Sequence, residues 1–184
     1  MKPDKKNRVC PVERAGVLDF AIRKWIDNPG KILQPYVREG MTALDLGCGP
    51  GFFTMEMARL VGETGRVVAA DLQVGMLQKV KEKIKKTAFA YTIELHQCLP
   101  DRIGLSRKFD FILIFYMLHE VPDQEKFLNE IRALLKPQGR ILLAEPAFHV
   151  SRDEFQESIG TMIRVGFAVL AEPKILFSRA VVLG

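Results

Sequence analysis

The stretch LDLGCGPGFF, from Leu44 to Phe53, places three glycines at alternate positions directly after the apolar residues around Asp45. An apolar run that leads through glycines into a helical pattern predicts a strand joined to a helix by a tight turn. Glycine allows backbone conformations that other residues avoid, and it lets a ligand approach the main chain closely. The free amide groups at the start of the helix can then face that ligand. We therefore expect a ligand at Gly47, Gly49 and Gly51, with the carboxylate of Asp45 beside it.

The composition predicts one globular domain. The chain has 184 residues, of which 48% are hydrophobic and 27% are charged, values that are ordinary for such a domain. We expect a single domain over 1–184, with an N-terminal helical segment at 1–38 and an α/β core at 39–184. The 27 Lys and Arg exceed the 22 Asp and Glu, and part of the excess lies at Lys79–Lys86. We interpret that cluster as a solvated helix face, with nucleic acid or an acidic partner as the alternative.

The sequence pattern predicts neither a targeting or membrane-spanning segment nor a metal site. The first 16 residues lack the apolar core of a signal peptide, and the apolar run Phe111–Leu118 is too short to span a membrane. We therefore expect a cytoplasmic protein. Cys10, Cys48 and Cys98 are odd in number and widely spaced, which favours free thiols over a zinc site or a disulfide framework. No acid and histidine cluster has metal-ligand spacing, so we expect catalysis without a metal.

Strand and helix patterns alternate along the rest of the chain. Apolar residues at helical spacing begin at Phe53 and at Met76, and two further such patterns begin after Asp123 and after Ser151. Two more predicted strands lie on either side of Glu172–Lys174. Such alternation predicts a three-layer, Rossmann-like sheet, mostly parallel, with helices on both faces. The five earlier predicted strands are Thr42–Leu46, Arg66–Asp71, Tyr91–Gln97, Phe109–Tyr116 and Arg140–Pro146.

The predicted sheet locates the site at one edge. In an open parallel sheet, ligands bind beyond the carboxyl ends of the strands. The segments that directly follow the predicted strands are therefore the candidates: Gly47–Gly51, Asp71, Gln97–Leu99, Tyr116–Glu120 and Glu145–His149.

The residues around the glycine turn argue against two classes of ligand, nucleotide phosphates and dinucleotides. The Lys-Ser/Thr pair of a P-loop is absent, because Phe52 and Phe53 follow the glycines. The spacing G-x-G-x-G differs from the G-x-G-x-x-G of dinucleotide sites. A carboxylate at Asp45 would repel a pyrophosphate, whereas it would suit an ammonium group. Asp71 ends the second strand, where an acid can accept hydrogen bonds from both ribose hydroxyls; the alternative is a turn or helix-cap role.

The chain closely resembles the class I S-adenosylmethionine-dependent methyltransferases of the small-molecule type that includes the menaquinone and ubiquinone methyltransferases. LDLGCGPG matches the first motif of that group and VVAAD, which ends at Asp71, matches the second. FDFILIFYMLHEV and FLNEIRALLKPQGRILLAEP match the segments around the fourth and fifth strands. Together these stretches cover about residues 40–147 in the family's order.

The resemblance implies a seven-stranded fold whose last strand is antiparallel, and S-adenosyl-L-methionine as the cofactor, with S-adenosyl-L-homocysteine as its product. It implies that the three glycines pass under the methionine part, that Asp45 helps to hold the amino group and that Asp71 holds the ribose. Relatives usually carry an acid after the third strand for the adenine amino group, where this chain has Cys98 and Leu99. Either Asp101 reaches in, or backbone and apolar contacts hold the adenine. The predicted cofactor contacts are Asp45, Gly47, Cys48, Gly49, Gly51, Asp71, Leu72, Cys98, Leu99 and Phe115.

Catalytic candidates lie at the ends of the fourth and fifth strands. Methyl transfer from a sulfonium needs mainly alignment and exclusion of water, and a base only if the acceptor arrives protonated. We predict Tyr116, His119 and Glu145 as catalytic residues. The alternative for His119 and Glu120 is to orient the loop or cap the next helix, and the alternative for Glu145 is to stabilise the entrance of the site through backbone N–H groups. Glu120 and His149 are further candidates, and we interpret His96 as structural.

The acceptor is expected to be a small molecule. FYMLHE lacks the Pro-Pro-aromatic signature of DNA amino methyltransferases, and no RNA-binding module is apparent, so nucleic acid is the less favoured partner. In the family that this chain resembles, the segment before the first motif commonly covers the acceptor. The resemblance therefore implies that the segment 1–38 forms a lid, in which residues 10–29, with Phe20 and Trp25, cover a partly apolar acceptor. A metalloid or thiol methyltransferase that uses Cys10 and Cys98, a methyltransferase that acts on nucleic acid or protein, a non-catalytic S-adenosylmethionine-binding module and an NAD-dependent oxidoreductase are the alternatives.

Overall fold

The computed structural model of the chain describes residues 28–85 and 87–184. The predicted lid at 1–38 therefore lies mostly outside the described residues, as do Cys10, Phe20 and Trp25.

The described residues form a seven-stranded sheet with the order β3-β2-β1-β4-β5-β7-β6. Strands β1 to β5 pair in parallel, and β7 runs antiparallel to both of its neighbours, β5 and β6. The predicted Rossmann-like, mostly parallel sheet is confirmed, including its antiparallel last strand. The strands are β1 (Thr42–Leu46), β2 (Arg66–Asp71), β3 (Ile93–Gln97), β4 (Phe109–Phe115), β5 (Leu135–Pro146), β6 (Val169–Ala171) and β7 (Ser178–Leu183).

The helices begin where the sequence supplies caps. The Asp123 carboxylate accepts a hydrogen bond from the Lys126 N–H at 3.0 Å, and Ser151 and Glu154 form the predicted capping box. Each cap satisfies amide groups that have no partner within the helix. The helices in the described part of the chain are α1 (Pro29–Leu33), α2 (Phe52–Val61), α3 (Val74–Ile84), α4 (Gln124–Leu134) and α5 (Arg152–Val165), with short 3₁₀ turns at Ala90–Thr92 and Leu118–Glu120.

Helices cover both faces of the sheet because successive strand residues point to opposite sides. Ala43 packs in one core cluster with Met57 of α2, whereas its neighbour Leu44 packs in another with Leu128 of α4. Phe111 and Ile112 of β4 are both fully buried, so this central strand is covered on its two faces, as its continuous apolar run predicts. Burial of each such side chain stabilises the fold by about 1.5–3 kcal/mol.

Three strand boundaries differ from the sequence prediction, and the smallest difference is that β4 ends at Phe115 and not at Tyr116. Strand β3 begins at Ile93, not at Tyr91, because the Thr92 hydroxyl and N–H both bond the Phe89 carbonyl at 2.8 and 3.1 Å and close a turn. Strand β5 begins directly after α4, at Leu135, and not at Arg140 as the sequence pattern predicts. Leu135 pairs with Phe109, but the next pair is Arg140 with Phe111; residues 136–139 therefore form an irregularity in the strand.

Candidate active site

A cavity of about 760 Å³ lies beyond the carboxyl ends of the central strands. Its wall contains nine of the ten predicted cofactor contacts, and Gly51 is the exception. A Cβ on Gly51 would lie 3.0 Å from Cγ2 of Val80, so this glycine permits the close packing of α2 against α3. The parallel register brings the other nine to one edge, as the alternation of strands and helices predicts.

The glycine turn is anchored to the end of β2. The N–H groups of Gly47 and Cys48 both donate to the Ala70 carbonyl, at 2.9 and 3.0 Å. Gly47 has a φ of 73°, and a Cβ there would lie 2.7 Å from the Met117 side chain. Gly49 has a φ of 51°, yet a Cβ there would meet nothing within 4 Å. Gly49 therefore leaves main chain exposed to open space in the cavity.

Asp71 holds the turn from the end of β2. Its Oδ2 accepts the Gly49 N–H at 2.9 Å, and its Oδ1 accepts the Gln73 N–H at 2.8 Å. Burial raises the pKa of Asp71, and the backbone N–H groups oppose that rise. Asp71 therefore stabilises the turn, which is the alternative role that the sequence pattern left open for it. Each carboxylate oxygen has two lone pairs, so this role leaves acceptor capacity toward the cavity.

Asp45 is the most deeply buried carboxylate of the cavity wall, with 3% of its surface exposed. Its Oδ2 accepts the Thr54 hydroxyl at 2.5 Å. Burial raises the pKa of Asp45 to about 7, and the nearby Asp71 charge adds to the rise against the effect of Thr54. A cationic group in the cavity would favour the ionised form of Asp45. Thr54 was missed by sequence reasoning, since a threonine in a helix carries no distinctive signal.

Apolar side chains face the cavity beyond Asp71. Leu72 and Leu99 both line it and remain 37% and 44% exposed. Leu99 is held by a tight turn in which its N–H donates to the Arg102 carbonyl at 3.0 Å. Asp101, at the tip of this turn, also lines the cavity. A planar heterocycle between the two leucines would bury apolar surface that water otherwise covers.

Both cysteines of the cavity wall are protonated thiols. Burial raises the pKa of Cys98 to about 12 and that of Cys48 well above its usual value, and the carboxylate of Asp71 adds to both rises. Because the thiolate is the form that attacks electrophiles and binds soft metals, this environment opposes the use of Cys98 in metalloid or thiol chemistry.

Four aromatic rings form one continuous wall of the cavity, which we call the aromatic wall: Phe52, Phe53, Phe115 and Tyr116. The ring centroids of Phe53 and Phe115 are 4.4 Å apart, and those of Phe115 and Tyr116 are 4.3 Å apart. Phe52 meets Phe53 edge to face at 5.1 Å. The wall combines residues of α2 with residues at the end of β4, and it presents ring faces and edges to a ligand.

Tyr116 directly follows β4 and has a left-handed φ of 59°. Its hydroxyl oxygen lies 2.6 Å from the hydroxyl oxygen of Ser178, the first residue of β7. Burial raises the pKa of Tyr116, and the Glu145 charge adds to the rise against the effect of Ser178. The phenol therefore stays protonated near neutral pH. Sequence reasoning missed Ser178, because nothing in the pattern of the last strand marks it.

His119 and Glu145 form a separate pair that does not line the cavity. The His119 ring Nδ1 lies 2.6 Å from Oε2 of Glu145, and the His119 N–H donates to Oε1 at 3.0 Å. Glu145 is 2% exposed, and the ring of His149 meets that of His119 edge to face at 4.9 Å. Of the three predicted catalytic residues, the cavity wall therefore includes Tyr116 and omits the other two. Glu120 lines the cavity, whereas His96 bonds the Ile103 carbonyl at 2.7 Å, which agrees with a structural role.

In 28–85 and 87–184, no three or more His, Cys, Asp or Glu side chains are grouped so that they could hold a metal ion. None of the helices in these ranges is long and apolar enough to cross a membrane.

Comparisons with known proteins agree with the fold. The profile of a family described as a methyltransferase domain matches residues 37–165. A ubiquinone/menaquinone biosynthesis C-methyltransferase, UbiE, from Klebsiella pneumoniae is 40% identical over 110 residues, and the match covers 59% of this chain and 44% of that protein. UbiE from Escherichia coli is 39% identical over 110 residues, with the same coverage. The chain thus matches less than half the length of these curated relatives.

Solved structures extend the likeness to almost the whole chain. A SAM-dependent methyltransferase from Aquifex aeolicus is 26% identical, has a TM-score of 0.85, and the match covers 95% of this chain and 98% of that one. The glycopeptide N-methyltransferase MtfA, solved in complex with sinefungin, is 16% identical with a TM-score of 0.68, and the match covers 85% of this chain and 84% of that one. The second likeness supports the fold alone.

Proposed function

Since the chain belongs to the family of methyltransferase domains and is a class I S-adenosylmethionine-dependent methyltransferase, we propose that it transfers the methyl group of this cofactor to a small-molecule acceptor. The observation that carries the proposal is the opening at Gly49. There a bare main chain faces the cavity, with the two buried carboxylates of Asp45 and Asp71 on the same wall.

The residues of the cavity fit the parts of S-adenosylmethionine. Asp45 would hold the ammonium group, since a cation relieves the cost of its buried negative charge. Asp71, which keeps acceptor capacity beside the turn, would receive the ribose hydroxyls. Leu72 and Leu99 would enclose the adenine, and the Asp101 carboxylate, which lines the same wall, would accept from the adenine amino group.

The chain's contribution to the reaction is alignment and exclusion of water. When bound, S-adenosylmethionine supplies a methyl group on a positively charged sulfur that keeps the bonding electron pair when the acceptor atom forms its new bond. The aromatic wall keeps water from that region and restricts the orientations of the acceptor. Tyr116 stays protonated near neutral pH and acts as a hydrogen-bonding group. His119 and Glu145 position the segment that follows β4. If the acceptor must lose a proton, the Glu120 carboxylate on the cavity wall is our candidate to receive it.

The acceptor class follows from the relatives and from the cavity. The curated relatives are named for C-methylation in ubiquinone and menaquinone biosynthesis, and we propose that this chain also acts on a small cyclic acceptor, with nucleic acid not among its partners. The predicted lid at 1–38 would cover that acceptor, which makes residues 1–27 a determinant of acceptor use in this proposal. The proposal also includes a cytoplasmic location for the protein.

Calorimetric titration with S-adenosylmethionine, S-adenosylhomocysteine and NAD tests the cofactor. We expect binding of the two adenosyl ligands, no binding of NAD, and loss of at least about tenfold in affinity in Asp71→Asn, since a charge-assisted hydrogen bond contributes about 1.5–3 kcal/mol. Asp110→Asn is the matched control, because Asp110 also accepts a backbone N–H, that of Thr42 at 2.9 Å, but lies outside the cavity wall. Binding of NAD alone would overturn the proposal. Binding of both adenosyl ligands without methyl transfer to any of a panel of cyclic acceptors would leave a non-catalytic binding module.

A further inference from the structure

One fully buried hydroxyl group of α2 bonds a carboxylate of the cavity wall. Thr54, the third residue of that helix, has 0% of its surface exposed. It does not line the cavity, although Phe52 and Phe53, which precede it, do. Its hydroxyl donates to Oδ2 of Asp45 at 2.5 Å. Thr54 can therefore influence a ligand in the cavity through Asp45, although it does not touch that ligand itself.

This hydrogen bond differs from the usual one of a threonine in a helix. Such a hydroxyl commonly donates to the carbonyl four residues earlier, as Thr161 of α5 does to Glu157 at 3.1 Å. Four residues before Thr54 is Pro50, which lies in the glycine turn and outside the helix. Because α2 packs against β1, the hydroxyl of Thr54 meets the carboxylate of Asp45 instead of its own helix.

Asp45 depends on Thr54 for a hydrogen bond from a side chain. The residues paired with Asp45 in the two neighbouring strands, Ala69 and Leu113, are apolar and fully buried. Within 28–85 and 87–184, Thr54 is the one residue whose side chain donates to Asp45. Without that donor, a buried carboxylate would lose an interaction that offsets the cost of its burial.

The other groups around Asp45 oppose its negative charge. Burial raises the pKa of Asp45, and the charge of Asp71 at the end of β2 adds to the rise, whereas the hydroxyl and the backbone N–H of Thr54 lower it. The Cys48 thiol of the glycine turn also faces Asp45, and it stays protonated because burial and that carboxylate raise its pKa. From β4, the uncharged Leu113 lies beside Asp45. The ionisation of Asp45 therefore depends on Thr54 as long as no cation occupies the cavity.

We propose that Thr54 is a positioning residue of the cofactor site: its hydroxyl holds the Asp45 carboxylate in place and in its ionised form, and thereby sets the pH range in which the protein binds S-adenosylmethionine. This inference rests on the proposed function and adds a control of the same site by pH. Each carboxylate oxygen has two acceptor lone pairs, so the bond from Thr54 leaves Asp45 with acceptor capacity for an ammonium group in the cavity.

The effect of removing the hydroxyl has a definite sign. In Thr54→Val a methyl group replaces the hydroxyl, so the pKa of Asp45 rises further. A larger fraction of the ligand-free protein then carries a protonated Asp45 near neutral pH, and the ammonium group of a ligand must displace that proton. The affinity should therefore fall most at low pH and recover as the pH rises through the new pKa, by about tenfold for each unit of pKa shift.

The test compares S-adenosylhomocysteine with 5′-methylthioadenosine, which lacks the amino acid part, in equilibrium dialysis of the full chain. The ratio of their dissociation constants separates binding from folding, because a destabilised protein loses both ligands equally. We expect the ratio for Thr54→Val to differ from the wild-type ratio about tenfold near pH 6 and less than about twofold near pH 8.5, which is a shift of the profile by about one pH unit. Thr54→Ser, which keeps the hydroxyl, should reproduce the wild-type profile.

Thr92→Val is the matched control, because Thr92 is also fully buried and its hydroxyl bonds the Phe89 carbonyl at 2.8 Å, away from the cavity wall; its profile should equal the wild-type one. If Thr54→Val fails to fold, Thr54→Ala decides by the same ratio. An unshifted profile, a change of the ratio that is equal at every pH, or a shift in Thr54→Ser as large as that in Thr54→Val would overturn the inference and leave the proposed function standing. A wild-type protein that binds neither ligand would overturn both.

Discussion

The two halves of the cavity are built in different ways. The half around Gly49 comes from residues close together in the chain, where β1, the glycine turn and the end of β2 are joined by main-chain bonds to Ala70 and Asp71. The half around Tyr116 joins segments far apart in the chain, since Ser178 lies 62 residues after Tyr116. The first half is determined by backbone geometry, and the second by side chains that meet across the sheet. We expect changes to affect cofactor binding in the first half and acceptor selection or stability in the second.

The largest effect is expected at Gly49. Gly49→Leu places a side chain in the cavity and should weaken S-adenosylhomocysteine binding more than about a hundredfold, which corresponds to about 2.7 kcal/mol. Gly40→Leu is the matched control, because Gly40 also has a positive φ, of 79°, and only the Thr64 side chain lies within 4 Å of a Cβ there. Both variants carry the cost of a left-handed side chain, about 1–2 kcal/mol, so urea unfolding should give similar losses of stability. Equal affinity of the two variants for the ligand would refute the assignment of Gly49 to the cofactor.

A smaller effect, on stability alone, is expected at Glu145. Glu145→Ala leaves the His119 N–H and ring without the carboxylate that holds both, and an unsatisfied buried group costs about 1–3 kcal/mol. Urea unfolding measures that loss, and calorimetry should find the affinity for S-adenosylhomocysteine unchanged within about twofold. If instead the affinity falls while the stability stays constant, the pair takes part in ligand binding and the contrast between the halves is wrong.

The smallest expected effect is a pH dependence of S-adenosylmethionine binding, which arises in the half of the cavity around Gly49. Below about pH 7 the buried Asp45 of the ligand-free protein holds a proton, and an ammonium group that needs the carboxylate must displace it. The affinity for S-adenosylmethionine should therefore fall as the pH falls from 7.5 to 6, by at most about tenfold per pH unit. Calorimetry in buffers of different ionisation enthalpy should detect proton release on binding at pH 6.5. 5′-Methylthioadenosine, which lacks the amino acid part, should bind without this dependence; an equal dependence for both ligands would assign the proton to another group.

The sequence predicted the cavity wall better than the catalytic groups. Gly47, Asp45 and Asp71 could be identified because a strand, a glycine turn and a second strand end have local signatures, and the parallel register then brings them to one edge. Gly51 shares that signature but serves packing against Val80, a difference that depends on a neighbouring helix. The domain boundaries, and the lid at 1–38, remain predictions.

The sequence by itself determined the order of strands and helices along the chain, because that order depends on periodicity, caps and glycines within short stretches. The resemblance of its motifs to a known family predicted the cofactor contacts, nine of which line the cavity. Only the tertiary structure decided which polar groups at the ends of β4 and β5 meet the cavity. The His119 side chain bonds Glu145 and does not line the cavity, although Val121, two residues later, does. Tyr116, in contrast, lines the cavity, and its hydroxyl meets that of Ser178 in β7. The physical reason is that the direction of a side chain after a strand depends on local φ and on partners far away in the sequence, and neither the left-handed φ of Tyr116 nor Ser178 leaves a periodic signal.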